Sequence, residues 1–432
     1  MFFMSLCVLG VLTMQAQDVR TCWTNDYLEA NLQEDPATAE RMAAIEKHTA
    51  KYIDKLDDSQ KAAAVITIPT VVHVIYNTSA QNISDAQIQS QMQVLNDDFR
   101  RQNADASNTP SAFAGVAADT EIEFCLATVD PNGNATTGIT RTATNVSEFS
   151  TGSNCSASSQ PMKFTSGGGK DAWATTDYLN MWVCNLGGGI LGYAQFPGTG
   201  CAATDGVVMG YRYFGTIEQA QAPFDGGRTT THEVGHWLNL RHIWGDGNCS
   251  ADDFVSDTPA SDAANYGCTP SHVSCNSTDM VQNYMDYSDD ACMNLFTAGQ
   301  KARMRAVLSS GGARYALTTS AGCGNGGGGG SNYCASQGNS VADEWIQTVA
   351  LGSINNNSGS NGGYQDFTSV STDLEQGSAY NFTLTPGYAG SAYAEYWKIF
   401  IDFNQDLDFD DSGEMVYDCL LYTSPSPRDT LL

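Results

Sequence analysis

Residues 232–242 read His232-Glu233-Val234-Gly235-His236-Trp237-Leu238-Asn239-Leu240-Arg241-His242, and three of the six histidines of this 432-residue chain stand in that stretch. On a helix, His232 and His236 are four residues apart, so both imidazoles leave one face and aim at a shared point. Three neutral imidazoles fill three corners of a zinc tetrahedron and leave the fourth for water. Glu233 follows the first histidine, where its carboxylate reaches that water as a general base. A bare His-Glu-x-x-His pair also arises by chance on amphipathic helices. The third histidine narrows the reading, provided the chain reverses sharply after Leu238. Asn239 stands at the reversal, and asparagine is the non-glycine residue best suited to a left-handed backbone. The stretch predicts a zinc hydrolase.

Length and composition set the frame. The chain is long enough for two domains with accessories, and its 41% hydrophobic content supports a sizeable core. A formal charge of −28 argues against nucleic acid, whose phosphates need a basic surface. It fits solubility in saline surroundings, calcium binding or attraction of basic substrates. Residues 1–16 form an apolar run ending on a small residue, the pattern of a signal peptide without the usual basic start. No other stretch is long and apolar enough to span a membrane, so the expectation is an exported, soluble protein. Thirteen cysteines fit an oxidising destination. Setting aside Cys7 in the signal region and Cys419 near the end leaves an odd number. Cys249, Cys268, Cys275 and Cys292 follow the histidine motif, and spacing alone allows three connectivities among four cysteines.

Along the chain, residues 17–60 are polar and helix-prone and form an expected propeptide, with Cys22 its most notable residue. A domain over 61–318 then opens with Ile66–Tyr76, a β-branched run that predicts a buried strand. His73 within it reads as a core histidine. A helix is expected after Ser84, which is placed to cap it, with further strands at Glu121–Ala127 and Leu179–Leu186. The glycines of residues 187–189 suit the close approach of another backbone to an edge strand, or a flexible loop. Asp252, Asp253 and Asp257, followed by Thr258, make an oxygen-rich loop that suits calcium or is simply a solvated acidic loop. Residues 319–333 form a glycine-rich linker. Residues 334–418 alternate strand patterns with turns, and from about Cys419 to residue 432 that pattern breaks, as in a truncated or non-native tail. Asp402, Asn404, Asp406 and Asp408 have calcium-loop spacing, but Leu407 replaces the glycine an EF-hand needs.

The histidine motif resembles the long zinc signature of the metzincin metallopeptidases, and its Glu-Val-Gly-His-Trp-Leu core is similar to the pappalysin branch, the cytophagalysin and ulilysin relatives. Asn239 departs from the usual metzincin glycine, at a strain of order 1 kcal/mol. Gln282-Asn283-Tyr284-Met285-Asp286-Tyr287 fits the methionine turn of that group. The resemblance implies an α+β fold: a twisted mixed sheet with a backing helix and a zinc helix, then a loop-rich lower subdomain. It implies zinc held by His232, His236 and His242, Glu233 as base, Met285 under the metal and Tyr287 turned toward it. It also implies the disulfides Cys249–Cys275 and Cys268–Cys292, a substrate strand added antiparallel at the rim after residue 187, and a structural calcium at Asp253, Asp257 and Thr258. Similar precursors place a cysteine on the zinc, a latency role for Cys22 that stands beside an ordinary disulfide or a free thiol. Asp290, just past the methionine turn, would select arginine or lysine after the cleaved bond. Cleavage before Lys61 would then release the propeptide. Residues 334–418 resemble the GEVED-type β-sandwich modules of secreted bacterial proteases, and a surface, a glycan or a protein all stand open as the partner of this unit.

The expected function is therefore a secreted zinc-dependent endopeptidase acting on proteins or peptides. The rival is a secreted adhesion or binding protein that carries an inactive peptidase-like domain. An intact Glu233 and an open coordination corner favour the enzyme.

Overall fold

Ile66–Tyr76 forms the central strand β1, buried through almost its whole length on both faces. That is why it reads as a continuous β-branched run with no alternation, the mark of a strand covered on both sides. The computed structural model describes residues 19–56, 65–323 and, in stretches, 340–421. The expected signal peptide, Lys61, most of the glycine-rich linker and the Asp402–Asp408 turn lie outside those residues. The chain divides into two compact units, residues 1–330 and 331–432.

In the first unit, two helices precede β1: α1 (Thr24–Glu34) and α2 (Ala37–Ile53). Strands β2 (Ile122–Leu126) and β3 (Ile139–Ala143) share one edge of β1 end to end, both parallel to it. On its other edge β1 pairs in parallel with β4 (Leu179–Cys184), β4 with β6 (Val207–Gly210), and β6 antiparallel with the short edge strand β5 (Gly192–Ala194). The sheet is thus mixed, of order β2-β1-β4-β6-β5. His73 is buried in β1 between Thr140 and Asn180, hydrogen-bonded to both, and is a core residue.

Helix α3 (Asp85–Phe99) backs the sheet. Ser84 caps it, its Oγ accepting the N–H of Gln87 at 3.0 Å. Ile88, Met92, Leu95 and Phe99 recur at helical spacing and join Ile68, Val72 and Val74 in the main core. Helix α4 (Arg228–Trp237) carries the histidine motif, and Val234 and Trp237 face the same core. Beyond α4 the chain has little regular structure: a hairpin of β7 (Val273–Ser274) and β8 (Ser277–Thr278), then α5 (Ala298–Leu308), opened by a reciprocal Thr297–Gln300 cap. Disulfides Cys249–Cys275 and Cys268–Cys292 tie this region down. Cys125–Cys323 and Cys155–Cys201 close longer loops, and Cys22 and Cys184 are free and buried.

The second unit contains a three-stranded antiparallel sheet of β9 (Glu344–Leu351), β10 (Ile354–Asn357) and β11 (Phe382–Tyr388), and a two-stranded one of β12 (Glu395–Phe400) and β13 (Met415–Leu421). Strand β13 pairs with β12 from Met415 to Leu421.

Candidate active site

Helix α4 ends where the sequence expected a reversal. Asn239 takes φ +76°, in the left-handed region, and the N–H of Leu240 closes back on the carbonyl of Gly235 at 2.9 Å. The reversal turns His242 toward the two histidines of the helix. Nε2 of His236 lies 3.1 Å from Nε2 of His232 and 3.1 Å from Nε2 of His242. Each Nδ1 faces an acceptor: the carbonyl of Tyr284 at 2.7 Å for His232, that of Leu240 at 2.8 Å for His236, and Oδ1 of Asp246 at 2.5 Å for His242. Protons therefore sit on the Nδ1 atoms, and three bare Nε2 lone pairs converge in a buried space. Burial, then the neighbouring histidines, holds His232 and His236 well below the ordinary imidazole range, so both are neutral. Lone pairs facing one another are repulsive. They are stable around a cation, and three neutral imidazoles are a zinc donor set.

Sγ of Cys22 belongs to the same cluster, all four donor atoms lying within 4.8 Å of one another. Among the described residues no other group of three or more histidine, cysteine or acidic side chains gathers so closely. Burial first, and the Glu233 carboxylate second, push the Cys22 thiol well above its usual range. A thiolate at this position needs an adjacent cation. Oε2 of Glu233 accepts hydrogen bonds from Oγ1 of Thr24 at 2.9 Å and Sγ of Cys22 at 3.5 Å. Burial raises the Glu233 carboxyl to about 7 against the effect of those two donors.

Met285 is buried beneath α4, and a methyl group built on Gly235 would collide with its sulfur. Glycine in the motif is what lets the methionine turn come so close. The Tyr287 ring stands 4.9 Å from that of His242, edge to face, and its hydroxyl donates to the carbonyl of Cys22 at 3.3 Å. Burial pushes this phenol far above its ordinary range, so it keeps its proton.

Asp290 is held from two sides. Its Oδ2 accepts the backbone N–H groups of Gly226 at 2.9 Å and Arg228 at 3.1 Å. Its Oδ1 takes Nη2 of Arg20, and both side chains are only 1% exposed. The Arg20 guanidinium also lies over the Phe224 ring, 4.9 Å from its centroid, and Nε donates to the carbonyl of Ser288. Between Arg20 and Thr24 the chain follows the rim strand in parallel: the N–H of Leu191 donates to the carbonyl of Thr21, and that of Trp23 to the carbonyl of Gly192.

The acidic loop keeps its carboxylates on separate partners. Asp253 accepts from the Val255 N–H and the Thr258 hydroxyl, while Asp257 accepts from Thr297 and the Gly299 N–H. Burial raises the Asp253 carboxyl to about 6. Sequence reasoning gave no role to Asp246, Thr24 or Arg20. Asp246, four residues after His242, was within reach of a spacing argument. Thr24 and Arg20 meet partners more than 200 residues away and carry no local signal.

The profile of the pregnancy-associated plasma protein-A peptidase family matches residues 167–309. An extracellular metalloprotease of Pyricularia oryzae is 33% identical over 262 residues, covering 57% of this chain and 76% of that protein. One from Arthroderma benhamiae is 31% identical over 285 residues, covering 62% and 90%. Among solved structures, Tannerella forsythia mature mirolysin in complex with a cleaved peptide is 53% identical, with a TM-score of 0.56, covering 60% of this chain and 97% of that one. A mutant of Tannerella forsythia promirolysin is 48% identical, with a TM-score of 0.61, covering 69% and 97%.

Proposed function

This chain belongs to the pregnancy-associated plasma protein-A family of metallopeptidases, and on that premise we propose a zinc endopeptidase that cuts before arginine or lysine and is held latent by its own N-terminal segment. It is a secreted enzyme, like the extracellular metalloproteases it resembles. The observation that carries the proposal is the convergence of three bare Nε2 atoms beside Glu233.

Zinc held by His232, His236 and His242 would supply Lewis acidity, acidifying a water and polarising the scissile carbonyl. The rest falls to side chains. Glu233, raised to about 7, is matched to taking a proton from water and returning it to the leaving amine. Tyr287 keeps its phenolic proton and can donate it in a hydrogen bond to the developing oxyanion. Asp246 and the carbonyls of Tyr284 and Leu240 fix the three imidazole tautomers. Met285 packs under α4 as the apolar support.

The N-terminal segment supports the specificity and latency readings together. Arg20 fills the Asp290 pocket as a substrate side chain would, and Cys22 brings a fourth donor to the histidines. The segment lies parallel to the rim, opposite to the antiparallel course of an added substrate strand. Its peptide bonds are thus presented backwards to Glu233. Removal by cleavage before Lys61 would open the cleft. A structural calcium beside Asp253, Asp257 and Thr258 would add positive charge at the Asp253 carboxyl, which burial raises against the effect of Arg303. Added calcium should then raise the melting temperature, and should not do so in Asp253→Asn.

The processed enzyme, assayed on a peptide library, should cut before basic residues, lose activity to a chelator and regain it with zinc. Glu233→Ala should bind zinc and show no cleavage. Activity persisting in that variant would remove Glu233 from the role of base, and a zinc-loaded wild type that cuts nothing would favour an idle scaffold.

A further inference from the structure

Helix α2 puts one carboxylate where two guanidinium groups, buried Arg303 and half-buried Arg241, meet the end of the histidine helix. Glu46 is paired through both oxygens with Arg303, Oε1 to Nη2 at 2.8 Å and Oε2 to Nη1 at 3.0 Å. Oε1 also accepts from Nδ2 of Asn239 at 3.3 Å. The Arg303 side chain is 2% exposed, and its buried Nε has no hydrogen-bond partner. Arg241 shares the seat. The Phe254 ring lies 5.6 Å from the Arg241 guanidinium and 5.5 Å from that of Arg303, and Glu46 is the leading charge acting favourably on Arg241. Asp246 also acts favourably on Arg241, and Asp253 feels the charge of Arg303, but their hydrogen bonds go elsewhere, to His242 and to Val255 and Thr258. Without α2, Arg241, Arg303 and the Asn239 amide would lose the carboxylate that joins them.

The seat lies toward a definite end of the cleft. From Cys22 the N-terminal segment runs parallel to the rim, past Ala194 at Thr24, and α2 then touches Gly198 through Arg41. An antiparallel substrate therefore has its N-terminal part at the Phe196–Gly198 end. One ring separates the seat from the histidines there: Phe196 lies 5.3 Å from the His236 ring and 5.4 Å from the Arg241 guanidinium. An extended chain crosses such a span in three or four residues at roughly 3.3 Å each.

We propose that loss of the N-terminal segment converts the Glu46 seat into a substrate subsite, in which Arg241, Arg303 and Asn239 take an acidic side chain three or four residues before the cleaved bond. The inference rests on the peptidase reading and on departure of residues 17–60. The chain carries a matching sequence of its own. Residues 57–61 read Asp-Asp-Ser-Gln-Lys, so cleavage before Lys61 places Asp58 third and Asp57 fourth on the upstream side. The preferred substrate would then be a peptide with acid upstream and a basic residue immediately after the cut.

The test uses enzyme processed from the full chain and two fluorogenic peptides differing only in Asp-Asp-Ser-Gln-Lys against Asn-Asn-Ser-Gln-Lys. The acidic peptide should have a kcat/KM at least about tenfold higher, the scale of one charge-assisted contact. In Arg241→Gln and in Arg303→Gln the ratio between the two peptides should fall toward one. Mere structural damage would lower both peptides together and leave the ratio intact. Equal cleavage by the wild type, or a ratio kept in both variants, would overturn the subsite while leaving the peptidase standing. Failure to cleave either peptide would overturn the peptidase reading, and the subsite with it.

Discussion

The hydroxyl of Thr24 lies 2.9 Å from Oε2 of Glu233 while accepting the N–H of Ala194 at 2.8 Å, so one side chain caps both the candidate base and the edge strand. The N-terminal segment makes three such contacts within five residues, Arg20 on Asp290, Cys22 among the histidines and Thr24 on Glu233, and the proposed latency would rest on them. Thr24→Val keeps the shape and removes both hydrogen bonds, a loss of about 1–2 kcal/mol. Precursor activity before processing should rise several-fold in Thr24→Val, and further in Cys22→Ala. Unprocessed precursors of both variants that stay as silent as the wild type would exclude these contacts from latency.

Asp290 is oriented by two backbone N–H groups on one oxygen, which leaves the other for a cation. Asp290→Asn keeps the size and removes the charge. Cleavage before arginine should fall by roughly a hundredfold in kcat/KM, since the pocket would then desolvate an unpaired guanidinium. Peptides with a small apolar residue after the cut should change little. A library profile with the basic preference intact would reject Asp290 as selector.

How much could be seen beforehand followed from how local the determinants are. The β1 run, the Ser84 cap and the 3.6-residue pattern of α3 are short-range features, and each appears where its residues suggested. The approach of His232 to His236 is a property of one helix turn, and the left-handed Asn239 of one residue. Other features are set by tertiary packing. The Arg20–Asp290 pair spans 270 residues and Cys125–Cys323 spans 198, distances over which a sequence has no periodicity to read. Glu46 lies in a polar helix, and its pairing with Arg303 spans 257 residues.

Gly235 has no freedom to grow. A Cβ there would run into Sδ of Met285 and lie 3.3 Å from its Cε and 3.5 Å from Cδ1 of Leu240. Alanine favours the helix by up to about 1 kcal/mol, yet overpacking a filled core is destabilising by about 1–3 kcal/mol. Gly235→Ala should therefore melt below the wild type despite its better helix propensity. Combining it with Met285→Ala, which removes the obstructing sulfur, should recover part of the loss. A double variant whose destabilisation is simply the sum of the two singles would show that the methionine is not what excludes the methyl.

Lys163 is a buried cation whose effect on stability has a calculable sign. Its Nζ donates to the carbonyl of Thr204 at 2.6 Å among the rings of Tyr193, Trp182 and Tyr27, at 4.8, 5.1 and 5.6 Å. Burial lowers its pKa from 10.5 to about 7, with Asp205 opposing the change. Below pH 7 both folded and unfolded chains hold this proton, and the folded state bears the full penalty of a desolvated charge. Between pH 7 and 10.5 the folded chain has released the proton and the unfolded chain has not, so this residue's contribution to stability rises with pH. Above 10.5 it levels off. Lys163→Met removes the titration, so the unfolding free energy of wild type relative to the variant should increase by a few kcal/mol between about pH 6.5 and pH 9.5. Denaturant unfolding of both proteins at the two pH values measures this. A difference that stays constant would mean that Lys163 keeps its charge in the folded state, stabilised by the surrounding aromatic faces.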